Sequence, residues 1–181
     1  MRARQLNRSL GPPPVVALFD EVLRERLLPL ISRELPELED YIWERSKNGP
    51  NSSLTLCKRD PATKKLSELT YRFSEQEPAV NRYATGGLFE QHADHEALTV
   101  NILLRSNTFE GGGTAFWQEE PMTARTCVRG ETNVPGPPSV TVHPDAGVGV
   151  IFSGTVRHAG LAVSSGLRHV LVASFSIADA E

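Results

Sequence analysis

The stretch that decides the fold is Phe152-Ser-Gly-Thr-Val-Arg-His158-Ala-Gly-Leu-Ala-Val-Ser-Ser-Gly-Leu-Arg168-His-Val-Leu-Val172. Its apolar and β-branched residues predict two strands, and Ser165-Gly166 predicts the turn between them. His158 and Arg168 would then lie on neighbouring paired strands. A positive side chain among apolar strand residues is costly unless it meets a fixed anion, so Arg168 is expected to bind a carboxylate. The alternative is an edge-strand arginine that points into water.

Short predicted strands fill the chain beyond residue 52, and glycine- and proline-rich turns separate them. Many short strands of this kind predict a sandwich or a barrel. The predicted strands are Leu54–Lys58, Ala79–Thr85, Leu88–Gln91, Leu98–Leu104, Thr114–Trp117, Val140–His143, Val148–Phe152, Arg157–Val163 and His169–Ser176.

The N-terminal part predicts helices that lie against one side of this β structure. Residues 1–14 are expected to form a flexible arm that ends at three prolines, and residues 15–181 to form one domain. Apolar residues then recur at three- and four-residue spacing as far as Ile31, which predicts an amphipathic helix. A second helix is predicted from Leu35 to about Arg45.

Composition and charge exclude several classes of function. The 19 lysines and arginines are balanced by 22 acids, which gives a net charge of -3 and no basis for binding nucleic acid. No apolar run approaches the roughly 20 residues that cross a membrane. The arginine-bearing N-terminus lacks the apolar stretch of a secretory signal, and two cysteines do not make a disulfide framework. A reducing, cytoplasmic location is therefore expected.

The triplet His92-Ala93-Asp94 carries the clearest chemical signal. Side chains at positions i and i+2 of an extended segment point to the same side, so His92 and Asp94 can reach one ion. With His158 they form the two-histidine, one-carboxylate set of non-haem iron. The alternatives are a surface His and Asp at a turn, and a zinc site in which His92 pairs with His95. His95 is expected to be solvated or to lie beside the ligands.

Four blocks of sequence resemble the prolyl-4-hydroxylase-like branch of the Fe(II)/2-oxoglutarate-dependent oxygenases. They occur in the family's order, and the resemblance covers about residues 79–176. The blocks are Tyr83-x-x-Gly86-Gly-x-Phe89-x-x-His92-x-Asp94, Phe109-Glu-Gly-Gly112-Gly-Thr114-x-Phe116, Pro144-x-Ala-Gly147-x-x-x-x-Phe152 and His158-Ala-Gly-x-x-Val163-x-x-Gly166-x-Arg168-x-x-Leu171.

The resemblance implies a role for five side chains. His92, Asp94 and His158 match the family's iron ligands. Arg168 matches the basic residue that binds the C5 carboxylate of 2-oxoglutarate, and Tyr83 matches a tyrosine whose hydroxyl supports the same carboxylate.

One glycine and two histidines mark where the chain departs from the family or has no counterpart in it. Gly113 stands where the family's Gly-Gly-Glu-Thr block has an acid, and the change is expected to affect loop geometry or substrate, not iron. His143 and His169 match no family role. His169 is expected to point away from Arg168 and to be a hydrogen-bonded structural histidine.

The resemblance also implies a fold and a reaction. The fold is a double-stranded β-helix, a cupin-like jelly roll, buttressed by the N-terminal helices. The cofactors are Fe(II), the co-substrate 2-oxoglutarate and O2, with ascorbate as a candidate reductant. The reaction hydroxylates an unactivated C–H of a prolyl residue or an amino-acid-like molecule and releases succinate and CO2. Alternatives are a non-catalytic cupin-like sensor of metal or 2-oxoglutarate, and a zinc hydrolase that uses His92, His95 and His158.

Overall fold

The computed structural model describes residues 6–10, 13–47, 65–94, 96–118 and 136–177. Strands hold 43% of these residues and are antiparallel, which confirms the prediction of a mainly β protein with helices at its N-terminal end. None of the helices in these ranges is both long enough and apolar enough to traverse a bilayer.

The first predicted helix is divided by one wider turn. Helix α1 (Pro13–Val22) leads into the π-helical turn Leu23–Leu27, and α2 (Leu28–Glu34) follows. The N–H of Leu28 bonds to the carbonyl of Leu23, five residues back. Pro29 explains the turn, because a proline has no N–H and its ring would clash with the carbonyl four residues earlier.

This turn changes which apolar residues reach the core. Phe19, Leu23, Leu28 and Ile31 are buried, and the step from Leu23 to Leu28 is five residues. Leu30, which the regular helical spacing placed on the apolar stripe, is 41% exposed. Helix α3 (Pro36–Lys47) follows at the predicted place and buries Ile42.

The described ranges contain eleven strands and a short 3-10 turn at Leu66–Glu68. The strands are β1 (Leu6–Leu10), β2 (Tyr71–Phe73), β3 (Ala79–Ala84), β4 (Phe89–His92), β5 (Leu98–Leu103), β6 (Phe109–Gly111), β7 (Thr114–Trp117), β8 (Val140–Val142), β9 (Gly149–Ser153), β10 (Arg157–Gly160) and β11 (Val163–Ile177). The predicted strand Leu54–Lys58 falls outside the described residues.

The strands form two antiparallel sheets that face each other. The large sheet has the order β1-β3-β11-β5-β9, with β2 and β6 also paired to β11, and the small sheet has the order β4-β10-β7-β8. Side chains from both sheets line one cavity between them. We call the face of each sheet that is turned towards this cavity its inner face.

Strand β1 lies within residues 1–14, for which the sequence predicted a flexible arm. Its residues pair with β3, where Leu6 is opposite Arg82 and Leu10 is opposite Ala79. The prediction was wrong for residues 6–10, because the edge of β3 offers unpaired backbone groups that a short polar segment can satisfy as well as an apolar one.

The prediction that His158 and Arg168 lie on paired neighbouring strands is also wrong. Strand β10, which carries His158, belongs to the small sheet, whereas β11, which carries Arg168, belongs to the large one. The chain crosses between the sheets at Leu161-Ala162, where Leu161 N–H donates to the Gly113 carbonyl. The two side chains therefore approach the cavity from opposite walls.

Gly166 explains why the sequence pattern was misleading. Its φ of +82° suits a turn, yet it lies inside β11, opposite Phe109 and next to the irregular register with β6 between Val163 and Ser165. A Cβ at this position would lie 2.1 Å from the Thr108 carbonyl oxygen. The glycine therefore permits close approach of two backbones at a bulge and does not reverse the chain.

The main hydrophobic core lies on the outer face of the large sheet, where the helices cover it. Leu98 and Val100 of β5 and Ala173 and Phe175 of β11 contact the buried residues of the helices there. The Phe175 ring packs edge-on against Tyr71, with ring centroids 5.5 Å apart. Strand β11 thus supplies the core with one face and the cavity with the other.

Replacement of Phe175 tests this core. Phe175→Ala removes a fully buried ring and leaves a cavity, so the free energy of unfolding in urea should fall by about 3–5 kcal/mol. Val140→Ala is the matched control, because Val140 is 52% exposed and its replacement should change stability by less than about 0.5 kcal/mol. A loss below about 1 kcal/mol for Phe175→Ala would contradict the assignment.

Candidate metal centre

His92 and His158 come together because their strands pair. They are direct register partners of β4 and β10, and their ring centroids lie 4.2 Å apart. Each Nδ1 faces a backbone carbonyl two residues earlier, at 2.8 Å from Glu90 O for His92 and 3.0 Å from Val156 O for His158. Since a carbonyl can only accept, Nδ1 carries the proton in both rings. Both Nε2 atoms are then available as ligands.

Asp94 completes the group just beyond the end of β4. Its N–H donates to the Gly154 carbonyl at 2.9 Å, which fixes the backbone. Its Oδ1 lies 3.2 Å from His92 Nε2 and its Oδ2 lies 3.5 Å from His158 Nε2. One ligand atom from each of the three residues lies within 4.8 Å of the others, so a single ion could contact all three.

The protonation states suit a metal. Burial opposes ionisation of Asp94, but the hydrogen bond from Thr99 and the proximity of the His92 and His158 rings outweigh it and hold the pKa of this carboxyl below its ordinary value. Burial likewise lowers the pKa of His158, against the opposing effect of Asp94. A charged carboxylate and a neutral imidazole are the forms that bind a metal ion.

Aromatic rings form an apolar shell around the two histidines. The Phe89 ring is tilted by 54° to the His92 ring, with centroids 4.3 Å apart, and Phe152 packs edge-on at 4.6 Å from the His158 ring. Phe116, the register partner of His158 on β7, lies 6.2 Å from it. These rings give the two imidazoles apolar neighbours, while the His92 side chain keeps 31% of its surface exposed.

Arg168 lies in the same cavity on the inner face of the large sheet. It is only 4% exposed, and its guanidinium carbon lies 5.5 Å from the ring centroid of Tyr83, its register partner on β3. Burial lowers the pKa of Arg168, yet a guanidinium stays charged at neutral pH. The ion pairs formed among the described residues do not include Arg168. A buried cation with no ion-pair partner among the described residues is suited to bind an anion.

Two glycines let Arg168 and His143 occupy their positions. Gly112 has a φ of +69°, and a Cβ on it would lie 3.0 Å from Arg168 Cδ. Gly113 has a φ of +100°, and a Cβ there would lie 2.7 Å from His143 Cε1. The His143 ring thus occupies the space beside Gly113, where a residue with a side chain would clash. The position of the His143 ring therefore explains why Gly113 stands where the family has an acid, and it gives His143 a packing role.

Sequence reasoning missed the residues that support the centre from the large sheet. Thr99 of β5 donates a hydrogen bond to Asp94 Oδ2. Asn81 and Asn101 line the cavity between the three ligands and Arg168. The spacing Asn81-x-Tyr83 could have indicated Asn81, because alternate strand residues share a face. Nothing local indicated Thr99, whose role depends on the packing of one sheet on the other.

Two histidines outside the ligand group complete the comparison with the predictions. His95 lies outside the described residues. His169 is half-buried and absent from the cavity lining, as predicted for a residue that points away from Arg168. Its Nδ1 is buried and makes no hydrogen bond in the described part of the chain, so the prediction of a hydrogen-bonded structural histidine was wrong.

No protein-family model matches this sequence, and no curated protein matches it. Among solved structures it is similar to an oxidoreductase of the 2OG-Fe(II) oxygenase family from Burkholderia pseudomallei, with 23% identity, a TM-score of 0.43 and coverage of 60% of this chain and 46% of that one. It is similar to a Pseudomonas putida prolyl-4-hydroxylase, with 19% identity, a TM-score of 0.38 and coverage of 56% and 50%.

A third similar structure is the CENP-C cumin domain of Drosophila melanogaster, with 12% identity, a TM-score of 0.34 and coverage of 79% of this chain and 99% of that one. This chain therefore spans about half of each of the two oxygenase structures and nearly all of the third. These similarities are low, so the assignment of function depends on the residues of the site.

Thr99 provides a test of how the centre is held. Thr99→Val keeps the shape of the side chain but removes the hydroxyl that orients Asp94, and loss of such an outer hydrogen bond typically lowers metal affinity about 10- to 100-fold. Titration of the metal-free protein with Co²⁺ under anaerobic conditions measures the change. Thr108→Val is the control, because the exposed Thr108 hydroxyl bonds to the Leu167 carbonyl instead. Equal Co²⁺ affinities for the two variants would contradict the role of Thr99.

Proposed function

We propose that this protein is an Fe(II)- and 2-oxoglutarate-dependent oxygenase that hydroxylates an unactivated C–H bond. One observation carries the proposal. The ligand atoms of His92, Asp94 and His158 lie within 4.8 Å of one another, and the buried guanidinium of Arg168 lines the same cavity. The first feature suits a metal ion and the second suits an anion, and 2-oxoglutarate is an anion that chelates iron.

The donor set fits Fe(II). Two imidazole nitrogens and one carboxylate oxygen on one side of an ion form the facial arrangement used by non-haem iron oxygenases, which leaves coordination positions for other molecules. His92 and His158 would bind through Nε2, since their Nδ1 protons are engaged by backbone carbonyls. Asp94 would bind through a carboxylate oxygen that Thr99 helps to orient.

Arg168 and Tyr83 fit the far carboxylate of 2-oxoglutarate. The planar guanidinium can form two parallel hydrogen bonds to a carboxylate, and the neighbouring phenol can donate a third. Gly112 leaves the space through which the Arg168 side chain passes. Both residues lie on the inner face of the large sheet, so they would hold the co-substrate against the wall opposite His158.

When bound, Fe(II) and 2-oxoglutarate supply the oxidising chemistry, in which dioxygen is consumed and succinate and CO2 are released. The chain contributes orientation and a dry site. Backbone carbonyls of Glu90 and Val156 orient the two imidazoles, and the rings of Phe89 and Phe152 pack against them. No protein base is required, because the reaction does not begin with a proton transfer to a side chain.

The proposal extends to fold, cofactors and substrate. The two facing antiparallel sheets support a double-stranded β-helix, with residues 15–181 as one catalytic domain. Ascorbate is the proposed reductant that keeps iron ferrous.

The proposed substrate is a prolyl residue in a peptide or an amino-acid-like small molecule. A groove of about 550 Å³ is lined by Phe116, Trp117 and Val140 among others, and the Phe116 ring lies 6.2 Å from that of His158. Its uncharged lining supports an uncharged substrate group.

An assay of succinate release tests the reaction. The metal-free protein should convert 2-oxoglutarate to succinate after addition of Fe(II) and ascorbate, and Zn²⁺ should not replace Fe(II). His92→Ala and His158→Ala should abolish both iron binding and succinate formation, whereas His143→Ala, outside the ligand group, should retain them. Iron and 2-oxoglutarate binding without succinate would favour the non-catalytic sensor. Hydrolytic activity restored by Zn²⁺ would favour the zinc hydrolase.

Arg168→Ala tests the anion site. Loss of one partner from a buried, hydrogen-bonded charge pair costs about 2–5 kcal/mol, so the Kd for 2-oxoglutarate should rise by the corresponding factor while metal affinity is retained. Calorimetric titration of the Ni²⁺-loaded protein measures both. Arg82→Ala is the matched control, because Arg82 lies on the same sheet but is exposed on its other side. An unchanged Kd for Arg168→Ala would show that the co-substrate binds elsewhere.

A further inference from the structure

Asn81 occupies an unusual position for an amide. It lies on β3 opposite Val170 of β11, is 5% exposed and lines the cavity. Its Nδ2 donates to the Tyr83 hydroxyl oxygen at 3.3 Å. Its Oδ1 is buried and accepts no hydrogen bond in the described part of the chain.

Stability alone does not account for this side chain. A buried acceptor that finds no donor costs about 1–3 kcal/mol, and an apolar residue would avoid that cost. The surroundings are suited to one, since the strand partner Val170 and the preceding inner-face residue Ala79 are both apolar. The bond to Tyr83 is the contact of this amide, among the described residues, that an apolar side chain could not make.

That bond connects Asn81 to the anion site. Because an N–H of Asn81 is directed at Tyr83 Oη, the phenol proton must point away from Asn81. Donation to Oη also polarises the O–H group and makes it a stronger donor to an anion. The Tyr83 ring lies beside the Arg168 guanidinium, so its hydroxyl and the cation can act on one carboxylate.

We infer that Asn81 is a positioning residue that holds the Tyr83 hydroxyl in place to donate to the carboxylate bound by Arg168. The inference rests on the proposed function, because it takes that carboxylate to belong to 2-oxoglutarate. Asn81 makes no contact with the ligand in this scheme and acts through Tyr83. If Asn81 acts only through this bond, its contribution to the binding of 2-oxoglutarate should disappear when the Tyr83 hydroxyl is removed.

A double-mutant cycle tests the inference. The Kd of 2-oxoglutarate is measured by calorimetry on the Ni²⁺-loaded wild type, Asn81→Val, Tyr83→Phe and the double variant. Asn81→Val should weaken binding about three- to tenfold, as expected for one neutral hydrogen bond, and Tyr83→Phe about ten- to a hundredfold, as expected for a bond to a charged group. The double variant should match Tyr83→Phe alone, with Ni²⁺ affinity unchanged in all four proteins.

Two further variants complete the experiment. Thr108→Val is the control, because it also removes one neutral side-chain hydrogen bond, the one to the Leu167 carbonyl, but at an exposed residue that does not line the cavity. Its Kd should stay within about twofold of the wild type, since no hydrogen bond to the anion site is lost. If Asn81→Val does not fold, as judged by its melting temperature, the same cycle is run with Asn81→Ser.

Several outcomes would overturn the inference. One is that the single effects multiply in the double variant, because Asn81 would then act independently of Tyr83. Another is an unchanged Kd for Asn81→Val, and a third is an equal loss for Thr108→Val. Failure of the wild type to bind 2-oxoglutarate would instead overturn the proposed function, and the inference with it.

Discussion

The hydrogen bond from Thr99 to Asp94 is the interaction on which the candidate site depends. Asp94 follows β4 of the small sheet, whereas Thr99 lies on β5 of the large sheet, so the bond joins the two walls of the cavity. It helps to keep the pKa of Asp94 below its ordinary value although burial opposes ionisation. With this carboxylate fixed and charged, the Nε2 atoms of His92 and His158 meet it at 3.2 and 3.5 Å.

The two faces of β11 have different roles, and this difference explains how the fold supports such a site. Ala173 and Phe175 face the helices and belong to the main core, whereas Arg168, Val170 and Val172 face the cavity. Buried Arg168 and the unsatisfied amide of Asn81 both cost stability. The packing of the helices on the opposite face of the same strand offsets these costs. The helix contacts on the outer face of β11 thus hold in place the strand whose inner face carries Arg168.

Local patterns in the sequence predicted the parts of the structure that depend on near neighbours. The i and i+2 spacing placed His92 and Asp94 on one side of a segment, and strand Thr114–Trp117 was predicted to the residue. The link from His158 to these residues came from the resemblance to a family, because no local pattern shows that β10 pairs with β4. Non-local pairing also explains why Arg168 was assigned to the wrong partner strand.

Other structural features could not be predicted because they depend on contacts between residues that are far apart in the sequence. Gly166 has the signature of a turn, but it serves the close approach of Thr108. Thr99 is one more β-branched strand residue until the packing of the sheets brings it to Asp94. Strand β1 depends on an edge that only the folded sheet offers.

A crystal structure of the protein soaked anaerobically with Mn²⁺ and 2-oxoglutarate tests the central claim most directly. The account predicts one Mn²⁺ ion bound by His92 Nε2, His158 Nε2 and an Asp94 oxygen, with a 2-oxoglutarate carboxylate within hydrogen-bonding distance of Arg168. A metal ion bound by other residues, or a carboxylate out of reach of the guanidinium, would contradict it.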